Sequence, residues 1–85
     1  METKIAIMSI IVEQPDTVPA VNAHLHDYAE YILGRMGIPY RERKLCLISI
    51  AMDAPQDKIS ALAGKLGKLP GVSIKTALSG VKSHD

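Results

Sequence analysis

The sequence predicts an α+β fold, a four-stranded antiparallel sheet with two helices on one face. Three features indicate it: two strands that are apolar on both faces, two amphipathic helical stretches, and the order in which these elements alternate. The 85 residues make one domain, near the size at which a single core is just sufficient. We place that domain at residues 1–80, followed by a polar tail at 81–85.

The first predicted strand, residues 4–13, is apolar on both of its faces. Ile5, Ile7 and Ile11 point to one side. The alternate residues, which point to the other side, are Ala6, Met8, Ile10 and Val12. Two helices can cover only one face of a sheet this small, so we expect the second apolar face to be covered by another molecule or another copy of the chain.

A helix is expected after the break at residues 14–17. Asp16 or Thr17 is its candidate N-cap, and Pro19 is tolerated in its first turn. Its apolar residues recur every three or four positions, which places on one helical stripe Val18, Val21, Leu25, Tyr28 and Ile32.

Residues 34–40 make a poor helix because they contain two Gly and one Pro, and Pro39 restricts them to an edge strand. The charged residues 41–44 then turn the chain into the second doubly apolar strand, residues 44–53, so these two strands form a hairpin. Along the second strand, Leu45, Leu47 and Ala51 alternate with Cys46, Ile48, Ile50 and Met52.

The second helix is predicted to begin with a capping-box variant, in which Asp53 is the cap and Gln56 occupies the N3 position. Its buried stripe comprises Ile59, Leu62, Ala63, Leu66 and Leu69. Gly67, Pro70 and Gly71 end it, and a one-sided strand follows whose alternating residues are Val72, Ile74, Thr76 and Leu78. The order βαββαβ with right-handed crossovers puts the doubly apolar strands at the centre of the sheet. This arrangement predicts a ferredoxin-like sandwich.

The composition disfavours several functions. Ten Lys and Arg against nine Asp and Glu give a net charge of +1, too little to attract nucleic acid or an anionic membrane strongly. The chain has neither Phe nor Trp with which to stack bases. No Ser/His/Asp or Cys/His arrangement and no carboxylate pair is suggested, so we expect no enzymatic activity and no catalytic residue.

Metal and export signals are also weak. His24 and His26 on a helix project roughly 160° to 200° apart, so they do not share one ion within a chain. The single Cys46, set in an apolar strand, predicts a buried and inert thiol in a reducing cytoplasm. The apolar run at residues 5–12 is too short to span a bilayer.

Two features could bind a ligand. Gly64 lies off the buried stripe, where Gly costs about 1 kcal/mol relative to Ala, so either the helix frays toward its end or a ligand or partner backbone approaches there. A basic cluster either keeps a hairpin tip soluble or recognises phosphate or carboxylate; its members are Arg35, Arg41, Arg43 and Lys44. The candidate ligand-binding residues are Gly34, Arg35, Gly37, Tyr40, Gly64, Lys65 and Gly67.

Two segments carry a resemblance to a known family that extends over nearly the whole chain: residues 34–40, GRMGIPY, and residues 61–76, ALAGKLGKLPGVSIKT. The chain resembles the small family of iron-only hydrogenase system regulators. That resemblance implies a ferredoxin-like, ACT-like fold, related to the effector domain of nickel-responsive repressors and assembling as dimers or tetramers. For function it implies a regulatory role without a defined activity.

The chain departs from the nickel-responsive domains at the metal. Those domains place two His on the second strand and a Cys at the start of the third. Cys46 matches the Cys, but the second strand here offers Arg35, Gly37 and Pro39 and no His. A square-planar nickel site cannot be completed, so we expect neither a metal nor a cofactor.

The leading hypothesis is a cytoplasmic regulatory module that assembles as a homo-oligomer through its sheet and senses a small anionic ligand at a subunit interface. The competing hypothesis is a non-catalytic interaction subunit that docks onto a transcription factor or a hydrogenase maturation protein. Direct DNA binding is disfavoured, because we expect no spare segment for a helix-turn-helix or a basic arm.

Overall fold

A computed structural model of the protein describes residues 2–79. Its elements are β1 (Lys4–Val12), α1 (Val18–Asp27), β2 (Ile32–Tyr40), β3 (Leu45–Ala54), α2 (Gln56–Gly67) and β4 (Val72–Leu78). The strands form one sheet in the order β2-β3-β1-β4, and every neighbouring pair is antiparallel. The predicted ferredoxin-like sandwich is confirmed, with the doubly apolar strands at its centre. The predicted tail at 81–85 lies outside the described residues.

The core lies between the helices and one face of the sheet, which we call the covered face. In β1 the alternate residues Ala6, Met8, Ile10 and Val12 are at most 1% exposed. The helices contribute Val21 and Leu25 from α1, and Ile59, Leu62 and Leu66 from α2. Each such Leu, Ile or Met contributes about 1.5–3 kcal/mol by leaving water. The apolar stripes predicted for the two helices therefore hold the layers together.

The first helix is shorter than the sequence predicts. It ends at Asp27, and a 3₁₀ turn at Ala29–Tyr31 leads directly into β2. Ile32 is the first residue of β2 and pairs with Met52, so its assignment to the helical stripe was wrong. Strand pairing and packing against the core outweigh the local three-four spacing at this position. The β2 register then shifts between Ile32 and Gly34.

The N-cap position predicted for α1 is confirmed at Thr17, but its side chain makes no capping hydrogen bond, and the cap predicted for α2 does not form. Thr17 occupies the N-cap position of α1, but its hydroxyl donates to the Pro70 carbonyl at 2.9 Å. Asp53 belongs to β3, and Pro55 takes the N-cap position of α2, so the predicted capping box is wrong. The reason is that β3 continues to pair with β1 through Ala54, which delays the start of the helix.

The turn after α2 is fixed by Gly71, the one glycine of the described residues with a positive φ, at 72°. A Cβ at Gly71 would lie 2.7 Å from Gln14 Cγ. The Gly71 carbonyl also accepts a 2.7 Å hydrogen bond from the Glu13 backbone N–H. This close approach joins the start of β4 to the end of β1.

Candidate functional site

The side of the sheet away from the helices, which we call the open face, is apolar and uncovered. On the central strand β1, Ile5, Ile7 and Ile11 are 41–42% exposed. On the edge strand β2, Met36 and Ile38 are 54% and 44% exposed. The prediction that both faces of the central strands are apolar is confirmed, and a single chain covers only one of them.

A polar row crosses the middle of the open face. The register places Ser9 opposite Lys75 on one side and Ser49 on the other. One apolar area lies on each side of this row. One contains the cross-strand neighbours Ile11, Leu47 and Ile38, and the other contains Ile5, Ile7 and Ala51. The face therefore combines apolar area with hydroxyls and a cation, as protein interfaces do.

The seven candidate ligand residues fall into two separate groups. Four lie on β2, where Gly34 and Tyr40 face the open side while Arg35 and Gly37 face the helix side. The other three, Gly64, Lys65 and Gly67, lie on α2, which packs against β4, β1 and α1. Because β2 and β4 are opposite edges of the sheet, one chain does not bring the two groups together.

The α2 group makes mainly internal contacts. The Lys65 ammonium lies 5.1 Å from the centroid of the Tyr28 ring, a cation–π contact. A Cβ at Gly67 would lie 3.8 Å from Ile74, which is ordinary contact. Gly64 is exposed, as the sequence predicts, and a Cβ there would meet nothing within 4 Å. Within one chain, nothing approaches Gly64 closely.

Arg35 borders a cleft of mixed polar and apolar lining between α1 and β2, which we call the Arg35 cleft. Its guanidinium Nη2 donates to Asn22 Oδ1 at 2.8 Å. The cleft has a volume of about 510 Å³ and is also lined by His26 and Ile32. Sequence reasoning missed Asn22 as a partner of Arg35. The four-residue spacing of Asn22 and His26 was visible, but only tertiary packing shows that this side of α1 faces β2.

A second cleft, the hairpin-tip cleft, was not anticipated. It has a volume of about 320 Å³ and is lined by Pro15, Val18, Pro39, Arg41, Lys44, Leu45 and Cys46. Cys46 is half-buried, so the prediction of a buried thiol was wrong. The residue faces the helix side, but α1 begins only at Val18 and leaves this end of the sheet partly uncovered.

Among residues 2–79, no three His, Cys, Asp or Glu side chains lie close enough to hold a metal ion. Neither helix within the same residues is long and apolar enough to cross a membrane. His24 is half-buried and His26 is exposed on α1.

Solved structures show where this fold occurs. The uncharacterized protein TM1266 from Thermotoga maritima is 37% identical over 91% of this chain and 98% of its own, with a TM-score of 0.87. The C-terminal domain of MgtC from Mycobacterium tuberculosis is 14% identical over 96% and 94% of the two chains, with a TM-score of 0.72. A formyltetrahydrofolate deformylase from Pseudomonas putida is 15% identical over 87% of this chain but 28% of its own, with a TM-score of 0.58. The last two show the fold alone.

Family membership follows from the sequence match. No protein of curated function matches the chain significantly. Residues 4–76 match the TM1266-like family, described as "Iron-only hydrogenase system regulator, putative". That match covers most of the chain, and it agrees with the similarity to the Thermotoga maritima protein. The chain therefore belongs to the TM1266-like family of iron-only hydrogenase system regulators.

Proposed function

We propose that this protein is a non-catalytic regulatory module of the iron-only hydrogenase system that acts as a homo-oligomer joined through its open face. The observation that carries the proposal is the exposure of Ile5, Ile7 and Ile11 on the central strand. Central strands of a sheet bury both faces when both are apolar, and one chain has helices for only one face. A second copy of the chain supplies the same apolar area in return.

The size of the open face supports a subunit interface. Four strands about 4.8 Å apart and about nine residues rising ~3.4 Å each span roughly 600 Å² in projection. Side chains add relief, which brings the accessible area close to the roughly 800 Å² per partner of a standard interface. One face of this sheet is therefore large enough for a stable dimer.

Charge on the open face also suits a two-fold contact. Lys75 on β4 and Asp53 on β3 both belong to this face, since their pairing partners Ser9 and Ile5 do. In a two-fold contact the same pair of residues meets twice, with the roles of the two subunits exchanged. The proposed interface places Lys75 of one subunit near Asp53 of the other.

Assembly is tested by light scattering at micromolar concentration. We expect the wild type to be a dimer or tetramer and Ile7→Lys to be a monomer, because the substitution puts a charge into the apolar interface. Leu78→Lys is the matched control, since Leu78 is equally exposed, at 42%, but pairs with Ala6 on the covered side. A monomeric wild type would overturn the homo-oligomer. The remaining alternative would be the interaction subunit, whose open face binds a different protein.

The regulatory part of the proposal is the binding of a small anion. Arg35 supports it, because its exposed guanidinium is positioned by Asn22 at the Arg35 cleft, which His26 also lines. Phosphate, succinate and citrate are the probes, and the melting temperature is the readout. We expect Arg35→Ala to reduce the shift, whereas Gly64→Val reduces it only if a second subunit brings α2 to this cleft. An equal shift in Arg35→Ala and the wild type would remove the Arg35 cleft from the proposal.

A further inference from the structure

The hairpin-tip cleft lies where the ends of β2 and β3 meet the β1–α1 connection. Pro39 and Cys46 are cross-strand partners on the helix side of the sheet. Pro15 begins the 3₁₀ turn that precedes α1, and Val18 begins the helix itself. The walls of the cleft therefore consist of two proline rings, a valine side chain and a thiol. All of these groups favour contact with hydrocarbon over water.

The charged groups at the cleft are all cationic. Arg41 and Lys44 line it, and the lining contains no carboxylate. Lys44 adopts the left-handed conformation, with φ at 55°, and its backbone N–H donates to the Arg41 carbonyl at 3.2 Å. Within residues 2–79, neither side chain has a hydrogen-bonding or ion-pair partner. The tight turn thus holds two unpaired cations beside an apolar cleft.

We propose that the hairpin-tip cleft binds a small carboxylate with an apolar body. The hydrocarbon lies against Pro15, Val18 and Cys46, and the carboxylate is bound by Arg41 and Lys44. A volume of about 320 Å³ is sufficient for such a molecule, because ligand pockets begin at roughly 300 Å³. The planar guanidinium can donate two parallel hydrogen bonds to one carboxylate.

Binding in the hairpin-tip cleft needs neither assembly through the open face nor Arg35, so this inference goes beyond the proposed function.

Three probes test the two parts of the proposed ligand separately. Hexanoate has both the hydrocarbon and the anion, hexanol has only the hydrocarbon, and inorganic phosphate has only the anion. We expect hexanoate to bind about tenfold or more tightly than either of the other two.

Cys46 reports occupancy directly, because it is the only cysteine of the chain and forms part of the cleft wall. The measurement is the rate of iodoacetamide labelling in the native protein, together with hexanoate affinity by calorimetry. We expect hexanoate to slow the labelling in proportion to occupancy. Labelling that is unaffected by saturating hexanoate, or equal affinity for hexanol, would overturn the proposal.

Matched variants locate the anion site. Arg41→Gln and Lys44→Asn remove the two cations, and Asn tolerates the left-handed conformation of residue 44. Arg43→Gln removes the same charge from the same turn but does not line the cleft. We expect about tenfold weaker hexanoate binding in the first two variants and no change in the third. If Arg43→Gln weakened hexanoate binding equally, the loss would come from the change in net charge, and the proposed anion site would be wrong.

The monomeric Ile7→Lys variant separates this proposal from the assembly proposal. Undiminished hexanoate binding in that variant is the expected result, because every lining residue belongs to one chain. Loss of binding would show that the site requires a second subunit, and the single-chain site would be wrong. Failure of the wild type to assemble, in contrast, would leave the hexanoate result unaffected.

Discussion

The two faces of the sheet carry similar side chains in very different surroundings. Ile10 and Ile11 are neighbours on β1, yet Ile10 is 1% exposed and Ile11 is 42% exposed. The difference comes from the helices, whose apolar stripes pack on one side only. The sequence thus makes both faces of the sheet apolar, and the folding of one chain buries only one of them.

The polar content of the two faces also differs. In the core between the covered face and the helices, Thr17 is the only buried polar residue among residues 2–79, and its hydroxyl donates to the Pro70 carbonyl. The open face carries Ser9, Ser49 and Lys75 in one cross-strand row. A core that closes within one chain excludes such groups, whereas a contact between separately folded chains accommodates them.

The largest expected effect comes from shortening side chains on the two faces. Ile10→Ala should lower the free energy of unfolding by about 2–5 kcal/mol, because it leaves a cavity in a close-packed core. Ile11→Ala should cost less than about 1 kcal/mol when both are measured in the monomeric Ile7→Lys background. Urea denaturation checks both values. Equal losses would mean that the open face is packed within the single chain.

An intermediate effect is expected at the turn that closes the covered face. Gly71→Ala should destabilise the protein by about 1–3 kcal/mol, because the new Cβ meets Gln14 and the left-handed conformation disfavours Ala. Gly64→Ala is the control, since space is open there, and it should stabilise α2 by up to about 1 kcal/mol. Thermal melts measure both changes. A loss of stability in Gly64→Ala would show that a second subunit approaches α2 closely at Gly64, since nothing in the single chain does.

The smallest expected effect concerns charge on the open face. Lys75→Glu should weaken association a few-fold, because an exposed ion pair contributes at most about 1 kcal/mol, and should leave monomer stability unchanged. The charge swap Asp53→Lys with Lys75→Glu should restore the affinity. Sedimentation at low and high salt measures both. If neither variant changed the association affinity, Lys75 and Asp53 would not pair across the interface.

The candidate site was less predictable than the fold. Arg35 was identified from its sequence context, and the structure places it at a cleft. Its partner Asn22 and the whole hairpin-tip cleft were missed, because their residues come from segments separated along the chain. The spacing of residues on one helix or strand carries no information about which other element faces them.

The sequence by itself determined the arrangement of strands and the two apolar faces. Apolar residues on both faces of β1 and β3 favour central positions, and Pro39 favours an edge, since these are local properties of backbone and side chain. Only the tertiary structure decided where α1 ends and α2 begins, that Ile32 starts a strand, and which groups meet at the clefts. The Thr17 hydroxyl, for example, bonds a carbonyl 53 residues away instead of capping its own helix. Such contacts depend on which distant residues compete for the same group, and the spacing of residues within one helix or strand does not encode that competition.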